Sequence, residues 1–298
     1  METKTPTPSG LSRRQALALT AGAALTPALS RAQDPLFRIE KRRIRQSVMG
    51  WCFNPMPTRQ LAQACVDIGL EGIEGIGREH YPMVRELGLK ISLVGSHGFA
   101  AGPVDRSNHD ECYEKLSEAI DVAVDVGSPS VITFTGMQVD GMDPDEGTKN
   151  CIDLWKRVLP KAEEKGITLV LEHLNSRDDS HPMKGHPGYF GDDVDHCASM
   201  IRTIDSPRFK LLFDIYHVQV MNGDVIRRMR QYRDLIGHYH TAGNPGRREL
   251  DDNQEINFPP IIREIAESGY EGYVAQEFIP TWDDPIAALR HAAEVCDV

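Results

Sequence analysis

The chain has 298 residues, enough for one large α/β barrel or two ordinary domains, and its 40% hydrophobic content supports a substantial core. A formal net charge of −11, from 33 Lys+Arg against 44 Asp+Glu, argues against nucleic acid as a partner, since phosphates need a basic face. No apolar run is long enough to span a membrane, and the six cysteines are scattered without a C-x-x-C pair, which sets aside a thiolate metal site.

In chain order, residues 1–32 stand apart. Ser12-Arg13-Arg14-Gln15-Ala16-Leu17 sets paired arginines before a weakly apolar stretch from Ala16 to Leu29, and Ser30-Arg31-Ala32 offers a small-residue cleavage site. This is the layout of a twin-arginine export signal, so the expectation is a signal peptide over 1–32, a folded domain over 33–298 and a periplasmic location. Lys4, Arg13, Arg14 and Arg31 outnumber Glu2 in this segment, so the exported chain would be more acidic still. A twin-arginine substrate folds before export, in a reducing compartment. Cys65, Cys112 and Cys151 lie in helical patterns, and the cysteines are expected to be buried, mostly free thiols.

From Ile44 onward, short β-rich runs alternate with amphipathic stretches. The predicted strands are Ile44–Met49, Gly72–Ile76, Lys90–Val94, Ser130–Thr135, Ile167–Glu172, Phe209–Asp214, Ile236–Thr241 and Gly272–Glu277. They are mostly apolar with little alternation, as buried parallel strands should be. Helical patterns between them include Thr58–Ile68, His109–Val126, Glu146–Glu164, Asp192–Thr203, Phe258–Glu267 and Pro285–Val295. Glycine closes several helices before the next strand, as in Glu164-Lys165-Gly166-Ile167. Eight strands, each followed by a helix, predict one closed (β/α)₈ TIM barrel. An open doubly wound sheet would carry a Gly-rich first turn, and no G-x-G-x-x-G follows the first strand.

Side chains at the C-terminal ends of barrel strands converge on one mouth. There the fifth strand ends Leu169-Val170-Leu171-Glu172, the sixth Leu211-Leu212-Phe213-Asp214, the seventh carries Gly237-His238-Tyr239-His240, and the eighth ends Val274-Ala275-Gln276-Glu277. Four successive strands thus deliver Glu172, Asp214, His240 and Glu277 at one level. Any one of these acids could simply cap the next helix or join a salt bridge. Three together repel unless a cation or protons neutralise them. Three carboxylates and an imidazole suit one divalent metal such as Mn²⁺, Mg²⁺ or Co²⁺, and Zn²⁺ less well.

Leu171-Glu172-His173-Leu174-Asn175-Ser176-Arg177 with His186-Pro187-Gly188-Tyr189-Phe190 resembles the E-P-x-N-x-R…P-G-[FY]-F signature of hydroxypyruvate isomerases. So do Phe213-Asp214-Ile215-Tyr216-His217, Gly237-His238-Tyr239-His240, Pro245-Gly246-Arg247-Arg248-Glu249 and Glu255-Ile256-Asn257-Phe258, and the resemblance runs from about residue 44 to 295. It implies the xylose isomerase-like barrel superfamily, with Glu172, Asp214, His240 and Glu277 as metal ligands and His217 and Arg247 on the substrate. Three features depart from the pattern: His173 replaces proline, His240 replaces a frequent glutamine, and residues 178–185 form a longer, more polar loop. Histidine at 240 is closer to the ketose epimerases. These departures bear on the substrate and leave the metal set intact.

The implied reaction moves a proton on a small hydroxy-carbonyl substrate, a hydroxy-keto acid or a ketose, through an enediolate stabilised by the metal. Glu172 and Glu277, on opposite sides of the mouth, are the candidate acid–base pair. His217 would polarise a substrate oxygen or orient Asp214. Arg247 would clamp a carboxylate or lie solvated in its loop. Glu74 and His97 are expected to line the pocket, with Trp51-Cys52-Phe53 as an apolar wall. Alternatives are a ketose 3-epimerase or other sugar isomerase, a sugar dehydratase, and a non-catalytic exported binding protein. An apurinic-site endonuclease would need a D-x-H after the seventh strand, and residues 241–256 contain none. The sequence leaves homo-oligomerisation open.

Overall fold

In the computed structural model, which describes residues 36–298, the predicted signal segment lies outside the described residues. The strands are β1 (Arg45–Val48), β2 (Gly72–Ile73), β3 (Lys90–Ile91), β4 (Ser130–Thr133), β5 (Thr168–Glu172), β6 (Phe209–Asp214), β7 (Ile236–Thr241) and β8 (Tyr273–Gln276). Six pair in the order β1-β8-β7-β6-β5-β4, all parallel, and β2 pairs with β3. Single parallel bridges complete the ring: Met49 with Glu74 joins β1 to β2, and Val94 with Val131 joins β3 to β4. The barrel is closed, as the sequence predicts.

Two strands are shorter than expected. The run 72–76 forms a ladder only at Gly72–Ile73, and 90–94 only at Lys90–Ile91, with Glu74 and Val94 each making a single bridge beyond it. Just after Glu74 the chain turns out of the ladder at Gly75, whose φ of +60° is a conformation few side chains tolerate. β6 and β7 match the expected bounds, and β1, β4, β5 and β8 differ by one or two residues at their ends.

Helices follow the strands: α1 (Thr58–Ile68), α2 (Tyr81–Glu86), α3 (His109–Val126), α4 (Pro144–Lys165), α5 (Val194–Ile204), α6 (Ile215–Met221), α7 (Val225–Gln231), α8 (Phe258–Glu267) and α9 (Pro285–Val295). Helices α2, α6 and α7 carry no clear periodic signal in the sequence. Each is only six or seven residues, too short to repeat a 3.6-residue period twice. Longer helices carry clear signals. Asp193 caps α5 by accepting the N–H groups of Asp195 and His196, and α1 buries Leu61, Cys65 and Ile68 along one face.

The main core fills the space between strands and helices. A second apolar cluster, Leu93, Ile132, Val170 and Leu212, fills part of the barrel interior. The rest of the interior is polar: Ser47, Glu74, Ser92 and His238 are all buried. All six cysteines are buried and unpaired, matching the expectation. No helix among the described residues is long and apolar enough to cross a membrane.

Candidate metal centre and active site

Register sets the strand-end residues side by side. Asp214 pairs with His240 across β6 and β7, and Glu172 of β5 pairs with Leu212, two residues before Asp214. Residues paired across parallel strands share a face, so these side chains point into the mouth together. Glu277 directly follows β8, its N–H bonded to the Thr241 carbonyl at 2.9 Å. Glu172, Asp214, His240 and Glu277 each offer one ligand atom, and these atoms all lie within 4.8 Å of one another.

The four side chains are buried, yet three of the converging atoms, Glu172 Oε1, His240 Nδ1 and Glu277 Oε2, lack a hydrogen-bond partner. His240 Nδ1 lies 2.6 Å from Glu277 Oε2 and 3.3 Å from Glu172 Oε1 without hydrogen-bond alignment. Buried polar atoms left without partners are rare and costly. A divalent cation among them would satisfy all three, and the set of hard oxygen donors with one nitrogen fits such an ion.

Electrostatics separates the carboxylates. Burial pushes the Asp214 carboxyl up to about 7 against the pull of Arg247. Burial, with Glu277 nearby, also raises Glu172. Burial works against the Glu277 charge too, but Arg247 and His240 hold that carboxyl down to about 2. The cause is visible in the contacts: Arg247 Nη2 lies 2.6 Å from Glu277 Oε2 and 3.5 Å from Asp214 Oδ2. Burial opposes a charge on His240, yet Glu277, Glu172 and Glu74 raise its pKa well above the usual value. Protons on this group therefore stand where a cation's charge would be.

Arg247 is not a solvated loop residue. It is buried, adopts φ +51°, and donates Nη1 to the Met183 carbonyl at 2.7 Å. Its guanidinium sits 5.4 Å from the Trp51 ring and 5.8 Å from that of Tyr216. A non-glycine residue held in the left-handed region next to reactive groups is a place where folding strain serves position.

His217 has a defined tautomer. Its Nδ1 accepts the Asn175 backbone N–H at 3.0 Å and stands 2.7 Å from Asn175 Nδ2. A backbone N–H can only donate, so Nδ1 is bare and Nε2 carries the proton. Burial, then the nearby Arg247, keeps the ring neutral. Nε2 lies 3.6 Å from Asp214 Oδ2 and has no hydrogen-bond partner, leaving a neutral donor at the mouth.

Two residues expected to line the pocket are placed differently. His97 Nε2 meets Thr133 Oγ1 at 2.9 Å and its Nδ1 meets the Gly98 carbonyl at 3.1 Å, so both ring nitrogens serve as a brace between loop and β4. Glu74 lies on the far side of His240, its oxygens engaged by His238, His240 and Ser92. A strand-end position alone does not tell whether a side chain reaches the pocket or a neighbouring strand. Asn175, Tyr216 and His238 were missed as supports, although the His-x-His spacing on β7 already put 238 and 240 on one face. The polar 178–185 loop is tied down near the mouth: the Lys184 carbonyl accepts from Asn175 Nδ2 at 2.7 Å and from the Tyr216 hydroxyl at 3.0 Å.

Comparison with known proteins adds the family. The model of the xylose isomerase-like TIM barrel family matches residues 62–297, most of the chain. This chain belongs to that family. A protein of Pectobacterium atrosepticum named 2-oxo-tetronate isomerase is 26% identical over 262 residues, covering 80% of this chain and 96% of that one. Hydroxypyruvate isomerase of Escherichia coli is 26% identical over 200 residues, covering 64% of this chain and 73% of its own. Among solved structures, one titled AP endonuclease, family 2, from Brucella melitensis superposes with a TM-score of 0.73. At 20% identity, over 84% of this chain and 97% of that one, it establishes a shared fold alone. Family and relatives together indicate an isomerase.

Proposed function

We propose that this xylose isomerase-like barrel is a metal-dependent isomerase of a small hydroxy-keto acid, interconverting hydroxypyruvate and tartronate semialdehyde or a close analogue. The observation that carries it is the group of Glu172, Asp214, His240 and Glu277, with three converging buried atoms that lack hydrogen-bond partners, one of them, Glu277 Oε2, ion-paired with Arg247. The names of the relatives point the same way. One divalent ion held by these four residues would supply the positive charge that eases removal of a proton next to a carbonyl.

The chain's own groups divide the remaining work. Glu277, ionised beside Arg247, takes a proton from carbon. Glu172, whose carboxyl burial favours in the protonated form, returns one to the neighbouring carbon. His217 donates Nε2–H to a substrate oxygen. Arg247 Nε is buried without a partner, a donor suited to a substrate carboxylate, which favours a keto acid over a neutral ketose. The fastened 178–185 loop helps keep water from the reacting carbons.

His240 supports a second reading, a ketose 3-epimerase, in which the proton returns to the opposite face of the same carbon. We also propose that the chain is exported to the periplasm, on the strength of Arg13-Arg14, the apolar stretch behind them and Ser30-Arg31-Ala32.

Incubating the Mn²⁺-loaded protein with hydroxypyruvate, 2-oxo-tetronate and a set of ketoses, followed by proton NMR, tests the substrate. Isomerisation of a keto acid is the expected result. Epimerisation of ketoses alone would replace this reading with the second, and tight binding without turnover would make the chain an exported binding protein.

A further inference from the structure

Beneath the proposed metal centre lies a second buried cluster that the reaction above leaves unused. Glu74 stands inside the barrel at the end of β2 with no solvent exposure. His240 Nε2 meets its Oε1 at 2.9 Å. His238 Nε2 lies 3.2 Å from Oε1 and 3.1 Å from Oε2, and the Ser92 hydroxyl donates to Oε2 at 2.5 Å. The two histidines come from alternate positions of β7, so both rings face the barrel axis, packed edge to face at 5.1 Å.

Glu74, His238 and His240 could in principle hold a metal of their own, since their ligand atoms also lie within 4.8 Å. Hydrogen bonding decides against it. Both oxygens of Glu74 and the Nε2 atoms of His238 and His240 that face them are hydrogen-bonded, whereas Glu172 Oε1, His240 Nδ1 and Glu277 Oε2 of the upper group lack hydrogen-bond partners. The lower cluster is complete with protons; the upper one is not.

We propose that Glu74 is a positioning residue for the metal centre: it holds the proton of His240 on Nε2, so that Nδ1 is the bare nitrogen aimed at the ion, with His238 and Ser92 bracing the carboxylate. The inference rests on the metal reading above. Its physics is that of a histidine ligand whose second nitrogen donates to a carboxylate: the contact fixes ring orientation and makes the ligating nitrogen more basic. A buried anion with four donors, His240, His238, Ser92 and the Ser47 hydroxyl at 3.5 Å, also keeps its own position, because any rotation would leave one of them unpaired. Glu74 therefore acts on substrate only through His240.

The test compares Mn²⁺ affinity by calorimetry in the full chain and in Glu74→Gln and Glu74→Ala. The glutamine keeps the volume but turns an NH₂ toward the Ser92 and His238 donors. Both variants are expected to bind Mn²⁺ roughly 10- to 100-fold more weakly, the scale seen when such supporting groups are lost. Long-range ¹⁵N–¹H NMR of the wild-type chain loaded with Zn²⁺ gives a readout that needs no variant. It should find His240 protonated at Nε2 and metal-shifted at Nδ1. A proton on Nδ1, unchanged Mn²⁺ affinity in both folded variants, or two Mn²⁺ per chain with the second lost in His238→Ala would each overturn the proposal. If wild-type protein binds no Mn²⁺ at all, the metal centre itself fails and this inference with it; wild-type binding with unaffected Glu74 variants removes only the inference.

Discussion

His173 follows Glu172 directly, has no solvent exposure, and neither ring nitrogen is hydrogen-bonded. Burial lowers its pKa to about 4, so the folded chain keeps the ring neutral. An unfolded histidine titrates near 6.5, so between roughly pH 6.5 and 4 the unfolded state binds the extra proton. The stabilisation is fully present above that window and is lost as pH falls through it, about 2 kcal/mol of it by pH 5. His173→Leu should lose correspondingly less stability than wild type between pH 7.5 and pH 5 in urea unfolding; equal losses would contradict the reading. At the mouth, Asp214→Ala or His240→Ala should abolish stoichiometric Mn²⁺ binding while circular dichroism shows the barrel intact. Unchanged affinity by calorimetry in both would remove the site assignment. Glu172→Gln and Glu277→Gln each keep an oxygen ligand but should lower turnover by a factor on the order of 10². The three acids were legible in sequence because each ends or adjoins a mostly apolar strand, and His240 because it stands at the same level on the strand between them. Glu74 and His97 look the same on paper; only packing shows that one serves His240 and the other Thr133.

At the scale of elements, long helices and fully paired strands were legible because their periodicity repeats. Where it does not, at β2, β3 and α2, the chain depends on neighbours rather than local pattern. The seam between the ends of the folded chain is one such place. The Asp297 carboxylate accepts the N–H of Glu40 at 2.9 Å, of Lys41 at 3.1 Å and of Arg42 at 3.3 Å, and Arg290 Nη1 reaches the Phe37 carbonyl at 2.6 Å. These contacts pin the segment entering β1 against the end of α9. Asp297→Ala should cost about 1 kcal/mol and lower Tm by about 2–4 °C. Mn²⁺ stoichiometry should not change, since the seam lies where β1 begins and the metal group where the strands end. A variant that melted with wild type would show that the seam contributes nothing.

For the whole molecule, eight strand–helix alternations predicted closure, and parallel pairing with two single bridges delivers it. What the sequence hid is the division of the interior, apolar around Val170 and Leu212 and polar around Glu74 and His238. Side chains on separate strands meet there only once the ring has closed. Export concerns the chain as a whole: Arg13→Lys with Arg14→Lys should leave the protein in the cytoplasm with its N-terminus uncleaved, and normal periplasmic recovery would refute the signal. The central claim, that a metal-loaded barrel mouth moves protons on a hydroxy-carbonyl compound, is tested most directly by deuterium exchange. In heavy water with Mn²⁺, wild-type protein should place deuterium on the carbon adjoining the carbonyl of hydroxypyruvate or a close analogue, and a chelator should stop it. Mn²⁺-bound protein that brings no deuterium into any keto acid or ketose, or exchange that continues undiminished in chelator, would contradict the account.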